Sequence, residues 1–186
     1  MGLFTIYKNR IKVLKVNYHL ASEVEKLLKS LRDEDLPVAY RSVLKELKKR
    51  GIIRSRNVLG DLGEYLVIKH YTSTPGLPNL SPAPTGTQNV DALSRKGDRY
   101  SIKATTGRTT GVFYGLNDPE SNIPDEKKFE YVIIALFDGN LVLRRINELS
   151  WKQFLKYKRW HRRMRAWNLS VTQELTENTK TIFSIE

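Results

Sequence analysis

Cysteine is absent from this 186-residue chain, and histidine is scarce. The lack of cysteine excludes disulfide bonds, thiolate zinc sites and cysteine nucleophiles. Because the histidines lie far apart in the sequence, a histidine-rich transition-metal site is not expected either: they are His19, His70 and His161. Any bound metal ion should therefore be a hard cation on oxygen ligands.

Long apolar runs are also missing. No run approaches the ~20 residues that a membrane-spanning helix needs, so we expect no membrane partner. Residues 1–10 contain no apolar stretch followed by a small-residue cleavage site, so we expect no secretory signal and a cytoplasmic location. With 40% hydrophobic and 28% charged residues, the composition is that of an ordinary globular protein.

Positive charge is in excess, with a formal net charge of +12. Residues 1–57 carry 14 Lys and Arg against 6 Asp and Glu, and residues 150–186 carry 8 against 3. Residues 58–149 are nearly neutral, with 10 against 11. Basic flanks fit a polyanionic partner such as duplex DNA, because each neutralised phosphate releases condensed counterions. A basic surface that never touches nucleic acid is the alternative.

The hydrophobic pattern predicts an N-terminal helical extension over residues 1–57 and a core over residues 58–186. Residues 3–16 fit either a strand or a short helix, and two helices follow, the second beginning at Pro37 and ending at Gly51. A third helix is predicted from Val58 to Tyr71. The proline-rich stretch 73–88 is predicted to be a long loop.

Strands are predicted beyond that loop. Residues 89–95 and 100–105 flank a turn and form a hairpin signal. The continuous apolar run 129–137 is typical of a central strand covered on both faces, and strands over 141–146 and 181–185 complete the sheet. We therefore predict an α/β protein with a mixed sheet flanked by helices.

Basic and aromatic residues alternate between Trp151 and Trp167, and we predict a C-terminal helix there that contacts DNA phosphates. A helix that merely covers the sheet with a solvated basic face is the alternative. The candidate DNA-binding residues are Arg159, Arg162 and Arg163, with Thr105 and Arg108 from the polar segment after the predicted hairpin.

The candidate chemistry lies in the neutral middle of the chain. Glu64 falls on the third helix, Asp91 on the first hairpin strand and Lys103 on the second. Carboxylates can hold Mg²⁺ beside a scissile phosphate, and a nearby lysine can orient water and offset developing negative charge. The combination suits phosphodiester hydrolysis.

The hairpin register decides whether these residues can cooperate. A three-residue loop, Gly97–Arg99, pairs Leu93 with Lys103 and puts Asp91, Ser101 and Lys103 on one face. A two-residue loop shifts the register by one and moves Lys103 to the opposite face.

The spacing Gly60-x-x-x-Glu64, Asn89-Val90-Asp91 and Ser101-Ile102-Lys103 resembles the active-site pattern of the PD-(D/E)XK nuclease superfamily, and the resemblance covers about residues 58–146. It implies a restriction-endonuclease-like fold, with Asp91 as the metal-binding aspartate and Lys103 as the lysine. Ser101 stands where the second acid is expected, so Glu64 would supply that carboxylate from the helix. The carbonyl of Ile102 would be a further Mg²⁺ ligand.

With its helical extension, the chain is similar to the small subunits of heterodimeric type IIS restriction endonucleases. The resemblance implies a type II site-specific deoxyribonuclease that cuts one strand of duplex DNA while a larger site-recognising subunit nicks the other. Two alternatives stay open: a self-sufficient homodimeric repair or junction-resolving nuclease, and a non-catalytic basic DNA-binding module.

Overall fold

The computed structural model describes residues 19–84 and 86–185, and the chain divides into two units after Gly51. In the first unit, residues 19–30 form helix α1 and Leu36–Lys49 form α2. Proline in the first turn of α2 and Gly51 at φ 68° beyond its end confirm the predicted helix limits to within one or two residues. The segment 3–16 lies outside the described residues.

The second unit is a six-stranded sheet with helices on its faces. In chain order its elements are α3 (Val58–Ser73), β1 (Leu80–Pro82), β2 (Ala92–Ser94), β3 (Arg99–Thr105), β4 (Tyr131–Phe137), β5 (Leu143–Ser150), α4 (Trp151–Tyr157), β6 (Lys158–His161), β7 (Ala166–Leu169), α5 (Gln173–Glu177) and β8 (Lys180–Ser184). The strand order is β1-β2-β3-β4-β5-β8, with β3 and β4 parallel and the other neighbours antiparallel. The predicted mixed α/β architecture is confirmed.

Both faces of this sheet are covered. Helix α3 packs on one face against an apolar cluster that includes Tyr71, Tyr100 and Ile133. The opposite face carries a second cluster with Phe113, Phe129 and Phe154. Strand β4 contributes to both clusters, and its residues 132–135 are fully buried, which confirms the predicted central strand. No helix of the described residues is long and apolar enough to cross a membrane.

Two glycines fix the place of α3. The helix begins after Asn57, whose side chain accepts a hydrogen bond from the Gly60 N–H at 3.1 Å. One turn later, a Cβ on Gly63 would lie 2.5 Å from the Cβ of Ala104 on β3. Glycine therefore lets α3, which carries Glu64 as its next residue, approach the end of β3 closely.

The hairpin between β2 and β3 has neither of the predicted registers. Ala92 pairs with Tyr100 and Leu93 with Arg99, so the loop is Arg95–Gly97 and not Gly97–Arg99. Gly97 takes the last loop position because the chain needs a positive φ there, at 86°. The predicted pairing is off by four residues, an even number. Side chains therefore keep the predicted faces, with Asp91, Ser101 and Lys103 on the same side.

One helix was predicted for the basic aromatic segment, and this prediction is wrong. Helix α4 ends at Tyr157, and β6 and β7 form a two-stranded hairpin. The backbone turns extended at Lys158, whose ammonium forms an ion pair with Asp125 and lies 3.9 Å from the centre of the Trp167 ring. Aromatic residues favour strands, and these contacts hold the segment in a hairpin. Strand β1 and helix α5 are further elements that the sequence pattern missed.

Candidate active site

Asp91 lies immediately before β2, at the point where this strand leaves β3. Its backbone N–H donates to the Tyr100 carbonyl at 2.8 Å. Its carboxylate Oδ2 then accepts from the Ile102 N–H at 2.6 Å and from the Ser101 hydroxyl at 3.3 Å. The side chain thus continues the hydrogen bonding of the sheet where the main chain departs. A carboxylate has about four acceptor sites, so Asp91 retains capacity for a cation.

The approach to Asp91 is also held in place. Asn89 has a left-handed backbone, with φ 59°, which asparagine tolerates better than most residues. Its side-chain amide donates to the carbonyl of Tyr114 at 2.8 Å. Val90 is buried between the two polar residues. This packing fixes the direction in which the Asp91 carboxylate leaves the chain.

Lys103 lies near Asp91 on β3. Its Nζ is 4.0 Å from Asp91 Oδ2 and 5.0 Å from the centre of the Phe113 ring. The Lys103 side chain is 20% exposed, so the ammonium group is partly shielded but still reachable from solvent. The predicted acid and lysine are therefore brought together.

Glu64 stands on α3 beside the same carboxylate. Burial of Glu64 and the negative charge of Asp91 raise its pKa above the ordinary value, although the Arg54 guanidinium opposes this shift. Arg54 donates a hydrogen bond to Glu64 Oε2. The two carboxylates therefore lie close enough to interact electrostatically.

The two carboxylates share an open cleft of about 220 Å³, and Lys103 is not among its lining residues. Glu64 and Asp91 line it together with Asp61 and Arg54. Burial of Asp61 alone would raise its pKa, but hydrogen bonds from the N–H groups of Ser55 and Arg54 lower it below the usual value. The Asp61 carboxylate is thus engaged in holding the chain before α3, whereas Glu64 and Asp91 face the cleft.

The carboxylates of the cleft fit a magnesium ion that is bound by few protein ligands. Within residues 19–84 and 86–185, no group of three or more His, Cys, Asp or Glu side chains is arranged to hold a metal ion. Mg²⁺ usually binds through only one or two carboxylates and keeps water or substrate phosphate as its other ligands. Glu64 and Asp91 meet that requirement, but they do not form a cage made only of protein ligands.

Ser101 and Ile102 both donate hydrogen bonds to the Asp91 carboxylate. Ser101 is fully buried and its hydroxyl is directed to Asp91, so it supports that carboxylate. The N–H and C=O of one strand residue point to the same side, and the Ile102 N–H points to Asp91. The Ile102 carbonyl therefore points toward the same edge of β3.

The candidate DNA-binding residues are more dispersed. Arg108 is exposed after β3, and Arg159, Arg162 and Arg163 are exposed on β6 and its turn. Thr105 is buried: its hydroxyl donates to the Thr109 carbonyl at 2.8 Å and accepts from the Gly107 N–H at 3.0 Å. These contacts give Thr105 a structural role in the loop.

Arg54 and Asp61 were not among the residues singled out from the sequence. Asp61 lies three residues before Glu64, a helical spacing that places two acids on neighbouring positions of one face. That signal was available. Arg54 stands in a basic stretch with no periodicity, and only its contact with Glu64 distinguishes it.

No family model and no curated protein matches this chain.

Proposed function

We propose that this chain is the catalytic subunit of an Mg²⁺-dependent DNA endonuclease of the restriction-endonuclease-like type. The observation that carries the proposal is the Lys103 ammonium 4.0 Å from the Asp91 carboxylate, which itself lines a cleft together with Glu64. An aspartate immediately before β2, a lysine on the neighbouring β3 and a glutamate of α3 in the same cleft as the aspartate support this proposal.

Each residue has a distinct task in this proposal. Glu64, Asp91 and the Ile102 carbonyl would hold Mg²⁺, which supplies a polarised phosphate and a more acidic water. Lys103 orients the attacking water and offsets the negative charge that develops on the phosphate. The Ser101 hydroxyl and the Ile102 N–H keep the Asp91 carboxylate in position.

The partners follow from the number of sites and the distribution of charge. Duplex cleavage requires one active centre per strand, and the described residues of this chain offer one candidate centre. The exposed arginines around β6 suit phosphate contact, which gives affinity without sequence information. We therefore propose that a larger site-recognising subunit supplies both specificity and the second cut, with this chain acting on duplex DNA in the cytoplasm.

A cleavage assay tests the proposal. The purified chain is incubated with plasmid DNA and Mg²⁺, alone and with a larger subunit encoded beside it. We expect little cleavage by the chain alone and double-strand cleavage when the partner is present. With the partner and the Asp91→Ala variant, the DNA should only be nicked. Efficient site-specific double-strand cleavage by the chain alone would favour the homodimer, and cleavage insensitive to Asp91→Ala would contradict the enzymatic role.

A further inference from the structure

Arg54 lies near the start of the second unit and is held to α3 at two points. Its backbone N–H donates to Asp61 Oδ2 at 2.7 Å, and the N–H of Ser55 donates to the same oxygen. Its guanidinium pairs with Glu64, one helical turn further along α3. Asp61, at 8% exposure, is a buried anchor, so the main chain at Arg54 is fixed at the rim of the cleft.

The side chain of Arg54 is less constrained than its backbone. It is 44% exposed, whereas the Glu64 side chain is 19% exposed. An ion pair with one partly exposed member is weak, since water competes for the guanidinium. Arg54 can therefore change partners while Asp61 keeps its backbone in place.

The partner of Arg54 is one of the two carboxylates assigned to Mg²⁺. A guanidinium on Glu64 Oε2 and a divalent cation on the same carboxylate repel each other, and a cation that takes Oε2 displaces the guanidinium from it. A cation bound between Glu64 and Asp91 would thus release Arg54 at the rim of the cleft where a phosphate binds. Guanidinium groups bind phosphate oxygens through two parallel hydrogen bonds.

We propose that Arg54 is a phosphate-binding residue of this site, and that Glu64 holds it until a divalent cation takes its place. This inference rests on the proposed function, because it takes duplex DNA as the ligand that supplies the phosphate. It assigns to Arg54 two effects of opposite sign. Arg54 weakens cation binding in the free protein and strengthens DNA binding in the cation-loaded protein.

Cation binding is measured first, by calorimetric titration of the full chain with Mg²⁺ and with Ca²⁺ in the absence of DNA. Arg54→Ala should tighten binding about 2–5-fold, the change expected for removal of one partly exposed competing charge. Arg56→Ala is the matched control. It removes an equal charge two residues away, from an exposed side chain outside the cleft lining, and should leave the affinity unchanged.

DNA binding is measured next, by fluorescence anisotropy of a labelled duplex oligonucleotide in Ca²⁺ at several salt concentrations. Arg54→Ala should weaken binding to all sequences alike and lower the salt slope by about one. Arg54→Lys should restore the salt slope while binding more weakly than the wild type, because lysine lacks the two-pronged geometry.

The two measurements separate the inference from the function beneath it. If Arg54→Ala weakens both cation and DNA binding, or changes neither, Arg54 is only a structural partner of Glu64 and the inference is overturned. The wild type would in that case still lose cation affinity on Asp91→Ala. If Asp91→Ala has no effect on cation binding, the proposed function fails and the role of Arg54 fails with it.

Discussion

Two arginine–glutamate pairs in the second unit, Arg54–Glu64 and Arg99–Glu130, have opposite electrostatic character. Their glutamates are similarly exposed, at 19% and 23%. Hydrogen bonds from the side chain of Arg99 are the main cause that lowers the pKa of Glu130 to about 2, whereas burial and the charge of Asp91 raise the pKa of Glu64. An arginine partner is therefore not what separates them.

The difference lies in the other contacts of each glutamate. Arg99 meets both oxygens of Glu130, with Nη2 3.0 Å from Oε1 and the backbone N–H 2.7 Å from Oε2, and Lys127 adds a further positive charge. These bonds join the first residue of β3 to the residue before β4. Glu64 instead has a second carboxylate beside it. The charge of Glu130 is stabilised by its contacts in the fold, whereas the charge of Glu64 is not.

Exchanging each glutamate for glutamine should affect cleavage at Glu64 and leave it unaffected at Glu130. We expect Glu64→Gln, and likewise Asp91→Asn, to reduce Mg²⁺-dependent cleavage by about 1000-fold or more, because the several kcal/mol of charge stabilisation from the metal would be lost. Glu130→Gln should leave cleavage unchanged. The measurement is single-turnover cleavage of a labelled duplex in the assembled enzyme.

Stability provides the other half of this test. At pH 7 the ionised Glu64 is disfavoured by the fold, because its pKa is raised above the unfolded value. Glu64→Gln should therefore leave the free energy of unfolding unchanged or slightly higher in urea titrations. A marked loss of stability would show that Glu64 is a structural residue, like Glu130.

Lys103 should give a smaller effect that is confined to the chemical step. Lys103→Met keeps an unbranched side chain against Phe113 but removes the ammonium group, and we expect the single-turnover rate to fall by about 100-fold. Calorimetric cation affinity should change little, because Lys103 is not a metal ligand in the proposal. An unchanged rate would remove Lys103 from the mechanism, and a collapse of cation affinity would show that it positions Asp91.

The sequence predicts the acid–lysine pair because its position depends only on the alternation of side chains along strands. Asp91, Ser101 and Lys103 share a face for any even register shift, so the face assignment survives an error of four residues in the pairing. The register was mispredicted because it depends on which position of the loop Gly97 occupies. Gly97 takes the last position, where the backbone has a positive φ, and composition does not determine this.

Arg54 and the β6–β7 hairpin show what local patterns omit. The contact from Arg54 to Glu64 depends on Asp61 fixing the preceding loop, a tertiary hydrogen bond with no periodic signal. The basic aromatic segment has residues suited to both a helix and a strand. Its conformation is decided by long-range partners, with Lys158 bound to Asp125 and the Trp167 Nε1–H donating to the Asn117 carbonyl.

The smallest expected effect concerns the pH dependence of stability at Glu130. Its folded pKa of about 2 lies below the unfolded value near 4.5, so its contribution is fully present above pH 5 and is lost as pH falls from about 4.5 to 2. A shift of this size would correspond to roughly 3 kcal/mol in a fully buried pair. Because Arg99 is 39% exposed, we expect Glu130→Gln to cost only about 1–2 kcal/mol at pH 7.

Urea unfolding of the wild type and Glu130→Gln at pH 7, 5 and 3 measures this contribution. The difference between the two proteins should be constant from pH 7 to pH 5 and smaller at pH 3, where the wild-type unfolded state takes up a proton that the folded state resists. Glu126→Gln is the control, because the Glu126 side chain that pairs with Lys128 is 82% exposed, and it should show no measurable change at any pH. A difference for Glu130→Gln that stays constant down to pH 3 would mean that packing, and not the charge of the pair, stabilises the junction of β3 and β4.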